Sequence, residues 1–198
     1  MPVAVQRFGE APPRYIVGNW YLPFSRGVLT GGAAAGINSI RLTPFRIEEA
    51  ITISDLACRV STLFSGGFCQ LAIYAVRPAS NLPGKCLGFT GSISTTLATT
   101  VSGDILGANI RLQPGLYWFA VNSDNATVAY TMYGTTSCNM GSLIGSATVT
   151  DVLEAAGSTS RPAVAIAQTF GTWPDLTNST LTPQSNHAVG AFKVAATG

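Results

Sequence analysis

His187 is the only histidine in this 198-residue chain, so neither a mechanism with two imidazoles nor a histidine-rich metal site can be built. Its neighbours Gln184, Ser185 and Asn186 are polar, which reads as a solvated loop rather than the setting of a general base. A serine nucleophile would need a strained turn such as G-x-S-x-G, and no such pattern occurs. Nor is there a phosphate-binding G-x-x-x-x-G-K-[ST], a zinc-type H-E-x-x-H, or a G-x-G-x-x-G between strand and helix. Acid pairs are the remaining route to catalysis. Glu48 and Glu49 are adjacent before a strand, so on an extended chain they point to opposite sides, and a solvated turn is favoured over a pair flanking a glycosidic bond. Asn122-Ser123-Asp124-Asn125 offers oxygen ligands of the kind calcium uses, yet the same residues are ordinary turn formers. No enzyme activity, cofactor or metal is expected.

Two further groups of residues could bind or react. Trp20, Tyr21 and Trp173 lie outside the expected core strands; they would either present a sugar-binding platform or anchor loops against the body. Burial is the favoured outcome for such large rings. Trp173 is retained as the candidate glycan contact, with a host surface polysaccharide as its ligand. The four cysteines, Cys58, Cys69, Cys86 and Cys138, show no C-x-x-C spacing. Cys58 and Cys69 fall in phase with apolar neighbours, so buried free thiols are expected, with a bridge between the two as the alternative.

The elements that would position these groups are strands. Leu116 to Val121 are large, aromatic or β-branched and too few for a lone helix, which predicts a strand buried on both faces. Pro114-Gly115 before it predicts a type II turn, with a positive φ at the glycine. Leu71 to Val76 repeats the arrangement and runs into Pro83-Gly84. Further strands are expected near 37–43, 50–60, 86–90, 107–112, 127–133, 163–169 and 188–195, the spacing of an antiparallel β-sandwich of jelly-roll type. The second strand changes phase: Ile51 and Ile53 alternate on one parity, Leu56, Cys58 and Val60 on the other. A bulge near Ser54-Asp55 must reconcile them. One short helix is predicted at 150–157, from Thr150 as N-cap to Gly157 as stop. Long loops are expected at 134–148 and 170–187.

Residues 1–36 read as an extended N-terminal arm ahead of a sandwich domain at 37–198. The arm has four prolines and the flexible run Gly31 to Gly36, yet also Phe8, Tyr15, Trp20, Tyr21 and Phe24, which a solvated tail would not need. It must wrap its own body or dock on another subunit. Only 10% of residues are charged against 46% hydrophobic, whereas soluble domains carry about 25% charged residues. Such a surface suits permanent subunit contacts, and a homo-oligomer is expected. The net charge of +2, with scattered basic residues, argues against nucleic acid. No apolar run approaches the roughly 20 residues of a membrane span, and Met1 to Arg7 lacks the pattern of a signal peptide. Synthesis in the cytoplasm without membrane insertion is expected.

Taken in order, Asn38 to Pro44-Phe45, Leu71-Ala72-Ile73-Tyr74, Pro83-Gly84 and Leu112-Gln113-Pro114-Gly115-Leu116-Tyr117-Trp118 resemble a β-sandwich module common in tailed bacteriophages. Its pattern is N-x5-P-F, L-x-I-Y, P-G and L-x-P-G-x-Y-W; Trp20-Tyr21-Leu22-Pro23 is similar to the aromatic segment that often precedes it. The likeness covers about residues 20–125. It implies core and turn roles for Pro44, Phe45, Tyr74, Pro83, Gly84, Pro114, Gly115, Tyr117 and Trp118. It also implies a virion protein without enzymatic activity, a head fibre, spike or decoration subunit contacting other capsid or tail proteins and docked on the capsid through residues 1–36 as an attachment arm. A tail-fibre domain that touches host glycan is the alternative.

Overall fold

The structure is a computed structural model, and it describes residues 15–22, 29–78, 80–133, 163–184 and 187–198. The predicted helix at 150–157, the loop at 134–148, Cys138, Phe8 and Phe24 lie outside the described residues. What is described is all-β, with every pairing between named strands antiparallel. The strands are β1 Trp20–Tyr21, β2 Leu29–Ala34, β3 Ser39–Ile47, β4 Ile51–Thr62, β5 Phe68–Val76, β6 Pro83–Phe89, β7 Ile93–Ser94 and β8 Thr100–Asp104. There follow β9 Ile110–Leu112, β10 Gly115–Ser123, β11 Ala129–Tyr133, β12 Ala163–Ala167, β13 Thr182–Gln184, β14 His187–Ala188 and β15 Gly190–Thr197.

They form two sheets. The first runs β1-β15-β4-β11-β14, with β2 added to β11 and both β8 and β9 added to β4; the second runs β13-β12-β3-β10-β5-β6, with β7 on β5. Between them lies a core of Phe45, Ile47, Ile51, Ile53, Leu56, Val60, Leu71, Ile73, Phe119, Val121, Tyr130, Phe192 and Val194, among others. The fold is therefore the expected antiparallel sandwich, and β10 is the strand buried on both faces. Phe119 and Val121 enter the inter-sheet core, while Trp118 and Ala120 face the other way into a second cluster with Ile40, Leu42, Tyr74 and Leu176. That second face would meet water in a two-layer protein. Here it is covered by the loop at 168–181, so an uninterrupted apolar run is what β10 requires. Each large side chain so buried contributes about 1.5–3 kcal/mol before entropy is counted.

The phase change in β4 is a bulge where the sequence requires it. Lys193 pairs with Asp55 and Val194 with Ile53, so Ser54 is the extra residue; Ala195 is the compensating one on β15. Without it Asp55 would follow Ile51 and Ile53 into the core, and burying an unpaired carboxylate is costly.

The turn at Pro114-Gly115 differs from the type II expectation. Gly115 is not among the glycines with positive φ, and it opens β10 opposite Ile47. The segment joins β9 in the first sheet to β10 in the second, so it is a corner between layers rather than a hairpin. Tyr117 closes that corner: its hydroxyl donates to Gln113 O at 2.9 Å and accepts from Gln113 N at 3.0 Å. Gly84 likewise lacks positive φ and lies within β6. Its role is close approach, since a Cβ there would lie 3.3 Å from Arg77 Cα and from Thr177 Oγ1.

The segment read as an arm is, in its described part, built into the body. Trp20 and Tyr21 pair with Lys193 and Phe192, and β2 pairs with β11. Tyr15, Tyr21, Phe192, Phe45 and Tyr117 form a ladder of rings at centroid spacings of 5.0 to 6.2 Å running from one sheet to the other. The boundary drawn at residue 37 thus separates residues that fold together, because paired edges and stacked rings recover more free energy than a solvated arm could.

Candidate interaction surfaces

Of the residues expected in the core and turns, Pro114 is exposed, and Gly115 and Tyr117 are half-buried at the corner before β10. Phe45, Tyr74 and Trp118 are fully buried, and the backbone-shaping Pro44, Pro83 and Gly84 are buried too. Pro44 sits beyond the reach of β12, which pairs only Ser39–Leu42 of β3; a sheet tolerates proline where one side carries no partner. Trp118 donates its indole N–H to Asn81 O at 2.9 Å, and the Tyr74 hydroxyl donates to Pro174 O at 3.2 Å. Burial raises the Tyr74 phenol and pushes the Cys86 thiol up to about 11.

Trp173 is half-buried. Its ring stacks on Phe89 at 6.2 Å and its N–H donates to Gln70 Oε1 at 3.1 Å. It anchors the covering loop, helped by Asp175, whose carboxylate accepts from both Thr177 N and Thr177 Oγ1 and is held below the usual range by those bonds. In the 122–125 segment, Asp124 Oδ1 accepts from Phe68 N and Asn125 Oδ1 from Thr127 N, so these oxygens shape turns. Among the described residues no group of three or more His, Cys, Asp and Glu stands close enough to hold a metal ion. Among the same residues no helix is long and apolar enough to cross a membrane. Cys58 and Cys69 are free and buried in the inter-sheet core; a hydrogen bond between them, then burial, raises the Cys58 thiol well above its ordinary range.

Two surfaces stand out. The first is an apolar end of the sandwich, where the β4–β5 turn meets the loop before β8. Phe64 N donates to Thr95 O, Thr95 N to Gly67 O, and Val60 N to Thr99 O, which holds the two loops side by side. Leu63, Phe64, Phe68 and Leu97 all stay exposed there, Leu97 at 66%.

The second is the outer face of the first sheet, which the sequence reading missed. Asp104, Asp55, Lys193 and Trp20 are direct cross-strand neighbours on β8, β4, β15 and β1, so they form one row on one face. Ser54 Oγ donates to Asp55 Oδ2, and Lys193 Nζ lies 3.8 Å from the same oxygen. A hydrogen bond to Asp55, then repulsion from it, raises the Asp104 carboxyl above its ordinary value. Two carboxyls in direct contact are too close for a glycosidase pair, which needs about 5 Å or more between them. The next row is Ser102, Ala57 and Ala191; the next has Thr100 and Arg59. Past the Arg59 row β11 leaves β4 to pair with β14, and beside that fork lies a largely apolar hollow of about 190 Å³. Leu22, Ala57, Arg59, Thr131, Val189 and Ala191 are among its lining residues. Asp55 was legible only as a bulge neighbour; its meeting with Asp104 depends on a register between distant strands.

No protein-family model matches this chain, and no curated protein matches it.

Proposed function

We propose that the chain is a non-enzymatic structural subunit of a tailed-phage particle, a decoration, head-fibre or spike subunit attached to the capsid and working through its surfaces. The observation that carries this reading is the apolar end formed by Leu63, Phe64, Phe68 and Leu97. Grouped exposed apolar side chains on a chain so poor in charge mark a surface that another protein covers. The resemblance of the Pro44-to-Trp118 motifs to phage sandwich modules supports the same reading. The rival reading, a tail-fibre or receptor-binding module holding host glycan through Trp173, has less support, because that ring is stacked on Phe89 and its N–H is engaged.

Deleting residues 1–36 is a poor test of attachment, since it removes β1 and β2 from the first sheet. Charge at the apolar end is a better one. Phe64→Asp and Leu97→Asp are expected to keep the fold and to abolish co-sedimentation with purified particles of the encoding phage. Undiminished co-sedimentation of both variants would remove this surface from the account.

A further inference from the structure

We propose that the outer face of the first sheet is a self-complementary dimer surface, occupied by a second copy of this chain. The face is made of matched halves. On β4 this face carries the partly buried Asp55, the buried Ala57 and the exposed Arg59 in succession, a carboxylate and a guanidinium on either side of a methyl group. Asp104 adds a second carboxylate beside the first, and Lys193 neutralises only one of the two. Arg59 is exposed and has no hydrogen-bond or ion-pair partner among the described residues. The face therefore carries a surplus negative group at one end and an unpaired positive group at the other. Its central row is Ser102, Ala57 and Ala191, small residues, with Leu22 standing beside them at the hollow.

A two-fold axis lying in the interface along the Ala57–Ala191 row reverses the strand direction between the copies. It sets Arg59 over the partner's Asp55 and Asp104, and by symmetry the reverse. The apolar groups obey the same operation. Trp20 is 42% exposed and Leu22 50% exposed, costly positions for such side chains in a monomer. The axis carries Trp20 of one copy to the hollow of the other, beside Leu22 and Val189, so one patch supplies both the projecting ring and the space for it. Face-to-face sheets pack about 10 Å apart, a gap that arginine and tryptophan side chains span. This surface adjoins the apolar end along β4, from Arg59 toward Leu63, but its test reads self-association alone, so it stands or falls independently of the particle role.

The test uses the full chain in sedimentation velocity, with far-UV circular dichroism to confirm folding. The unmodified chain should dimerise, more weakly as salt rises. Arg59→Asp and Asp104→Arg should each weaken the dimer at least about tenfold, because each homodimer then opposes like charges. Mixing the two variants in equal amounts should restore a dimer, since one of its two contacts then keeps the native charges and the other has its arginine–aspartate pair exchanged. A monomeric unmodified chain, a dimer indifferent to either swap, or a mixture no tighter than the separate variants would each overturn the proposal, whichever other occupant the face then proves to have.

Discussion

Phe119 on β10 lays its ring against the backbone of Gly190 on β15, so closely that a Cβ on Gly190 would overlap the ring. The two residues belong to opposite sheets, and the missing side chain of one is the space that the other fills. Gly190→Ala should therefore act as overpacking and destabilise the chain by about 1–3 kcal/mol. Urea unfolding reads this directly, and an unchanged midpoint would show that the sheets are not in contact there.

Trp118 fills the second core, beneath the covering loop. Trp118→Ala should cost about 3–5 kcal/mol through the cavity it leaves. Trp118→Phe should cost less, yet still leave Asn81 O without its indole donor. Equal losses for the two variants in urea unfolding would mean that packing at this position is slack.

Alkali should destabilise the fold. Burial moves the Cys86 thiol from an ordinary value of 9.0 to about 11, and it also raises the Tyr74 and Tyr130 phenols. The unfolded chain gives up these protons first, so above pH 9 the native state binds more protons than the unfolded one, and stability falls as pH rises. Urea midpoints measured between pH 9 and 11 should decline, and Cys86→Ser should flatten part of the slope. A midpoint that rises with pH would reverse the assignment.

Cys58 and Cys69 should be silent to a thiol reagent until the chain unfolds. In a variant with Cys86→Ser and Cys138→Ser they are the only thiols left. Both are buried, and the Cys58 thiolate is disfavoured. Slow colour in native buffer and full reaction in denaturant are expected; immediate reaction of the native protein would place them at the surface.

Much of this fold is legible residue by residue. The run from Leu116 to Val121 announces a strand covered on both faces, and the parity change between Ile53 and Leu56 announces the bulge, because each signal lies within one segment. Partner-dependent features are not legible in this way. Strand β8, Thr-Val-Ser-Gly-Asp, is polar and becomes a strand by pairing with β4; β2 is Gly-rich and is held by β11. The type II expectation at Gly115 failed because the dipeptide alone does not say that the chain is about to change sheets. The Asp55–Asp104 contact was missed for a related reason: strand register sets it, and no local pattern encodes that register.

The apolar end also predicts what its loss should leave intact. Leu97→Ser should change stability by no more than about 0.5 kcal/mol, because the side chain is mostly in water already. A large loss of thermal stability would mean that Leu97 packs within its own chain, leaving less of this surface for a partner.

The most direct measurement of the central claim is quantitative mass spectrometry of gradient-purified particles from cells infected with the encoding phage. The chain should band with the particles at a fixed ratio to the major shell protein. If it stays wholly in the soluble fraction, the chain is not a subunit of the particle.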